Sequence, residues 1–154
     1  MKILRVIVLS SALGASSLVA HAVPEFHSPG VDLKKIALDY LASERARQVE
    51  GATAQEVEAS LAFLTDTAVY EHPRAGARIE GKETMRRGML AHAGGIRNAR
   101  DEVISAIVGP GVVILELHQS FEFQDETVWK PRVIDSVKVL EFDGEKIRRI
   151  IDYR

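Results

Sequence analysis

VVILELHQSFEF, Val112 to Phe123, is followed by a polar turn at Gln124-Asp125-Glu126. TVWKPRVIDSVKVLEF, Thr127 to Phe142, comes next, then Asp143-Gly144 and KIRRIIDY, Lys146 to Tyr153. Each run alternates apolar and polar residues and is bounded by turn-forming residues, which is the signature of strands with one buried face. Asp143-Gly144 between two such runs is a strong hairpin signal. In the first run Leu115, Leu117, Phe121 and Phe123 oppose Glu116, His118, Ser120 and Glu122. Its polar face therefore meets water or a partner subunit. Pro131 cannot donate a ladder hydrogen bond and belongs at a bulge or an edge. Upstream, Arg97 to Val108 reads as one more strand, closed by Gly109-Pro110-Gly111. The C-terminal part of the chain is thus a set of long antiparallel hairpins.

The preceding residues are mostly helical. Leu33, Ile36, Ala37, Tyr40 and Leu41 recur at helical spacing, giving a helix from Val31 to about Gln48. Thr53 with Glu56 three residues on forms a capping box, and its helix runs to about Leu64, burying Val57, Leu61 and Leu64. A short strand over Ala68 to His72 stops at Pro73, and Arg78 to Glu80 forms a second small strand. Lys82 to Ala93 is a third helix, ended by Gly94-Gly95. It carries Met85, Met89 and His92 on one face. Helices segregated from antiparallel hairpins define an α+β domain. Strands this long twist and curl around the helices, so the expected shape is a cone whose mouth is a natural ligand pocket.

Composition narrows the function classes. The chain has 154 residues, 46% hydrophobic and 27% charged, with a formal net charge of −2. That profile is one globular domain with no electrostatic case for nucleic acid. Cys is absent, which excludes disulfides, thiolate metal sites and a cysteine nucleophile. No G-x-S-x-G elbow, G-x-G-x-x-G or P-loop occurs, so neither a serine hydrolase nor a nucleotide cofactor is indicated. The histidines have no zinc-ligand spacing; no metal or cofactor is expected.

Met1 to Ala22, MKILRVIVLSSALGASSLVAHA, has Lys2 and Arg5 before an apolar run and ends in the small-x-small triplet Ala20-His21-Ala22. It reads as a secretory signal peptide, too short and too interrupted for a membrane span. Residues 23–30, VPEFHSPG, read as a linker, leaving 31–154 as the domain. The mature protein is expected in the periplasm or secreted, with no membrane attachment after cleavage.

Two segments carry a family resemblance: FLTDTAVYEHPRAGARIEGKETMRRGM, Phe63 to Met89, and VLEFDGEKIRRIIDYR, Val139 to Arg154. A helix ending in an aromatic, a D-x-A-x-x-x-x-P strand, a Gly-Lys helix entry and an F-x-G-x-K-I hairpin resemble the nuclear transport factor 2-like superfamily. Within it, the SnoaL-like and ketosteroid isomerase-like proteins are the nearest in pattern. The resemblance implies a cystatin-like cone: a strongly curved antiparallel sheet wrapped around three N-terminal helices. The superfamily hosts isomerases, cyclases, dehydratases, hydrolases and binding proteins, so the fold alone names no reaction.

The resemblance also implies site residues. Tyr40 stands where ketosteroid isomerases carry the tyrosine that donates to the substrate oxygen. His72, before Pro73, stands at their aspartate base, with Glu71 as its understudy. Asp135 is the nearest match to their second acid. On the residues alone, Tyr40 is equally a core aromatic, His72 a strand-end histidine, and Asp135 a cross-strand partner of Lys146 or Arg148. An imidazole titrates near neutral pH and suits a general base. Two readings follow. In one, His72 abstracts a proton alpha to the carbonyl of a small apolar compound while Tyr40 and Asp135 stabilise the oxyanion, as in an isomerase or cyclase. In the other, the cone binds an apolar ligand without turnover, or serves as a dimerisation module. In either case the pocket is expected to be lined by Tyr40, His72, Met85, Met89, Leu117 and Asp135. Trp129 stands at its mouth, and a homodimer forms through the sheet. The export reading has its own test. Mass spectrometry of periplasmic or secreted protein should find Val23 at the N-terminus; an intact Met1 in the membrane fraction would contradict it.

Overall fold

The computed structural model describes residues 31–154; the signal peptide and linker expectations lie outside them. The elements are α1 (Leu33–Gln48), α2 (Ala54–Leu61), β1 (Leu64–His72), a 3₁₀ turn (Pro73–Ala75), β2 (Ala77–Glu80), α3 (Lys82–Ala91), β3 (Ile96–Gly109), β4 (Val112–Asp125), β5 (Val128–Asp143) and β6 (Lys146–Tyr153). The six strands form one open sheet in the order β2-β1-β6-β5-β4-β3. This is the expected α+β cone, with a curved sheet wrapped around three helices.

Local chemistry explains the boundaries. Asp32 caps α1 by accepting from the Lys35 amide at 2.9 Å. Thr53 caps α2, and Glu56 reaches back to the Thr53 amide at 2.7 Å, completing the box. Leu64 is buried as expected, but as the first residue of β1 rather than on the helix. β1 is therefore longer than its β-branched centre indicated. The Asp143-Gly144 hairpin forms in register, with Asp143 opposite Lys146 and Gly144 at φ 58°. Pro131 is tolerated because β6 pairs with β5 only from Val137 onward, so the Pro131 stretch is an edge on that side. One pair departs from the antiparallel expectation: β1 runs parallel to β6, with Tyr70 beside Ile150. The last strand thus enters the middle of the sheet and joins β1 to β5.

Pairing fixes which side of each strand is buried. Val113, Leu115 and Leu117 of β4, Leu140 of β5, and Ile147 and Ile150 of β6 face the helices. There they meet Ala37, Tyr40 and Leu41 of α1, Val57 and Leu61 of α2, and Met85 of α3. Leu117 belongs to this core. On β5 the inward residues are Ser136, Lys138 and Leu140, because Ser136 pairs with Leu117 and Lys138 with Leu115. Residues directly opposite share a face. Asp135, Val133 and Val137 consequently lie on the convex face. Val133, Val137 and Val139 flank Asp135 with the spacing of a buried apolar stripe, but Val133 and Val137 are exposed.

Candidate functional site

Beyond the apolar core, α1, α3 and the far halves of β3 to β5 do not meet. They leave a cavity of about 600 Å³, open to solvent. Gly95 forms part of the wall and Gly94 ties it to α1: the Gly94 amide donates to Arg47 O at 3.3 Å, and the Gln124 amide donates to Gly95 O at 3.3 Å. Gly94 sits at φ 73°, a conformation that favours glycine. Leu41, Ile79, Met85, Met89, Ile96, Phe121 and Phe123 supply an apolar wall. Tyr40, Glu44, Arg47, Tyr70, Asp101, Gln119, Lys138 and Arg154 supply the polar one.

The helix period builds half of the polar wall. Tyr40, Glu44 and Arg47 recur at i, i+4 and i+7 on the buried face of α1. Strand alternation builds the rest, since Gln119 follows Leu117 on the inner face of β4 and Lys138 precedes Leu140 on that of β5. The charges are tied together. The Glu44 carboxylate accepts from the Lys138 ammonium and lies 3.4 Å from the Arg47 guanidinium. Lys138 also lies 3.9 Å from Asp152, and Arg154 lies 3.6 Å from the same carboxylate. Tyr70 donates to Asp152 at 3.3 Å and accepts from Arg154 at 3.2 Å. A second group is formed by Asp101, which accepts from Arg45 Nε at 2.7 Å and from Gln119 Nε2 at 2.7 Å.

These contacts set protonation. Burial alone would raise the Glu44 carboxyl, but the Lys138 and Arg47 cations outweigh it and hold the group below the ordinary carboxylate range. Burial opposes ionisation of Asp101 too, and the hydrogen bonds from Arg45 and Gln119 win there. Both phenols are kept protonated. Burial, reinforced by Glu44, lifts Tyr40 well above its usual value; burial and Asp152 push Tyr70 up to about 12. Each is therefore a hydrogen-bond donor and not a base. The His92 imidazole stands exposed at the cavity rim, at the end of the α3 face that carries Met85 and Met89. Among the described residues no three His, Cys, Asp or Glu side chains are grouped as a metal ion would need.

Of the residues expected from sequence, Tyr40, Met85 and Met89 line the cavity. Tyr40 is 1% exposed. His72 does not line it. Alternation puts His72 on the side of Tyr70, but two residues further on, at the strand end, and its Nδ1 is buried without a partner among the described residues. Glu71 points to the convex side, held by Arg78 and by Arg149 at 2.7 Å. Asp135 is on the convex face with its side chain 83% exposed, 2.7 Å from His118 Nδ1. Leu117 is in the core behind the cavity, and Trp129 stacks under the Arg97 guanidinium at 4.5 Å, away from the cavity lining. The carboxylates and cations that do line the cavity carried a signal. Glu44 and Arg47 continue the apolar stripe of α1, and Gln119 interrupts that of β4.

Comparison with known proteins agrees with the fold. A family described as SnoaL-like domain matches residues 46–150, more than half the chain. A cystatin-fold protein from Novosphingobium aromaticivorans is similar at TM-score 0.63 and 24% identity, over 81% of this chain and 100% of that one. A protein with a ketosteroid isomerase-like fold from Catenulispora acidiphila, solved in complex with trimethylamine, is similar at TM-score 0.62 and 17% identity, over 78% and 85%. An LEH-like epoxide hydrolase from M. tuberculosis is similar at TM-score 0.58 and 18% identity, over 77% and 82%. At these identities the structures share a fold and nothing finer. No curated protein matches the sequence.

The buried charges generate a prediction. Glu44→Gln leaves Lys138 and Arg47 without their shared acid, which should cost on the order of 3–5 kcal/mol in urea unfolding. Glu44→Gln combined with Lys138→Met should cost less than the sum of the single changes. The pH dependence has a fixed sign. The ordinary values for Glu44 and Asp101 are 4.5 and 3.8, and both are lowered in the folded state. Their stabilisation is therefore complete above the ordinary values and is lost as pH falls through the lower folded ones. The urea midpoint should fall as pH drops below about 4, and by less in Glu44→Gln. A midpoint indifferent to Glu44→Gln would contradict the network.

Proposed function

The chain belongs to the SnoaL-like domain family, and from that membership we propose that it is a small-molecule-binding domain. Its ligand is largely apolar and carries a hydrogen-bonding end. The observation that carries this reading is the division of the cavity into two walls. Met85, Met89, Phe121 and Phe123 offer an apolar surface, and Tyr40 offers a phenol that is held protonated beside the Arg47 charge. An apolar pocket with a few convergent polar groups is the usual form of a ligand site.

The expected bases are not in the cavity, and the imidazole that does line it, His92, stands exposed at the rim. His72 and Asp135 are outside the cavity, Glu71 is on the opposite face, and the carboxylates within are each held by a cation. A general base must come within hydrogen-bond reach of the proton it removes. Binding without turnover is therefore the reading favoured here over an isomerase or cyclase. The test is a calorimetric titration with 2-naphthamide, a neutral probe with an aromatic body and a polar end. Saturable one-to-one binding is expected. Met89→Trp, which fills the cavity, should weaken it about tenfold or more. His72→Ala should leave it unchanged. A wild type that binds nothing, or binding unaffected by Met89→Trp, would contradict the proposal.

We further propose that two copies pair through the convex face. Ile107, Ile114, Val139 and Ile151 stand opposite one another across β3, β4, β5 and β6, so they form one row on that face. Ile107 on β3 and Val133 on β5, two strands away, are each 62% exposed. A contiguous apolar row on a sheet face is out of place on a monomer. Ile107→Asp should convert a dimer to a monomer in analytical ultracentrifugation. A wild type that sediments as a monomer at every concentration would contradict this.

A further inference from the structure

The charged side chains in and directly behind the cavity wall do not balance. Arg47, Glu44, Lys138, Asp152 and Arg154 form a row in which cation and anion alternate, with a cation at both ends. Arg45 and Asp101 form a separate neutral pair. The row therefore carries one positive charge in excess. Its two ends differ. The Arg154 side chain is 40% exposed, so water and the Tyr70 hydroxyl satisfy it. Arg47 is 8% exposed, and among the described residues its Nε is buried with no partner and its side chain has one ion pair, the 3.4 Å approach to Glu44. That carboxylate is shared with Lys138, which holds it more closely. A buried guanidinium with unfilled donors costs stability unless an acceptor reaches it.

We propose that the ligand of this cavity is an anion, a small carboxylate whose oxygens are taken by Arg47 and whose apolar body lies against Met89, Phe121 and Phe123. This inference rests on the binding reading above and specifies its ligand class. The guanidinium fork matches a carboxylate with two parallel hydrogen bonds, stronger than those between neutral groups. The Tyr40 phenol lies on the same helix face, two turns before Arg47, and is kept protonated by burial, so it is a second donor on the same wall of the cavity. Binding would give the buried Arg47 end of the row an acceptor and offset the excess charge of its side chains. The anion is repelled by Glu44, but Lys138 and Arg47 both face that carboxylate and offset it.

The experiment compares 2-naphthoate with 2-naphthamide, which differ in charge and hardly in shape. Wild type should bind the carboxylate about tenfold or more tightly than the amide, the increment expected of one charge-assisted pair. Arg47→Gln should bring the two within about threefold by weakening 2-naphthoate alone, and Arg47→Lys should restore part of the preference. Equal affinities in the wild type, or a preference that survives Arg47→Gln, would overturn the anion and leave the cavity reading intact. Binding of neither probe would overturn both. Should Arg47→Gln fail to fold, the wild-type ratio alone decides.

Discussion

The contact between Glu44 of α1 and Lys138 of β5 is the constraint from which the rest of the site follows. The first half of the buried face of α1 is apolar, and Ala37, Tyr40 and Leu41 settle onto the sheet as core residues do. The second half is not. Glu44 and Arg47 turn inward where leucines would otherwise complete the stripe. Charges taken out of water must find partners or lose more than burial returns. Glu44 finds Lys138 on β5, and through it Asp152 on β6. The helix is thereby pinned at its C-terminal half to the two central strands by polar contacts, which cannot close-pack as apolar side chains do. The apolar core ends there and the cavity begins.

The sheet answers the same constraint from its other side. Because Lys138 and Leu140 must both face the helices, Asp135, Val137 and Val139 must face outward. The convex face then collects an apolar row together with the His118–Asp135 contact. Thus one choice of strand parity on β5 sets both what lines the cavity and what the convex face exposes.

Much of this was legible in the residues. The capping box at Thr53, the hairpin at Asp143-Gly144, the strand limits of β6 and the helical face of Met85 and Met89 follow from local chemistry, and local chemistry is what a sequence records. The faces of β5 were harder to read. Val133, Val137 and Val139 look like a buried stripe, and the strand is decided instead by pairing with Leu115 and Leu117 on β4, a long-range contact invisible in the run itself. His72 shows another limit. Its parity agrees with that of Tyr70, but a position two residues beyond the cavity is a distance along a strand that no pattern reports. The buried charges were visible as breaks in apolar stripes. Such a break reads as an exposed face until the partner strand is known, and so Glu44, Arg47 and Lys138 were not singled out.

The proposed ligand site is the space between α1, α3 and the concave sheet. Amide chemical-shift mapping by NMR during a titration with 2-naphthamide tests it most directly. The largest changes are predicted along residues 44–48 of α1, 85–91 of α3 and 119–123 of β4, three of the segments that wall the cavity. Changes confined to the convex face, around Ile107, Val133 and Val137, with those three segments silent, would contradict it.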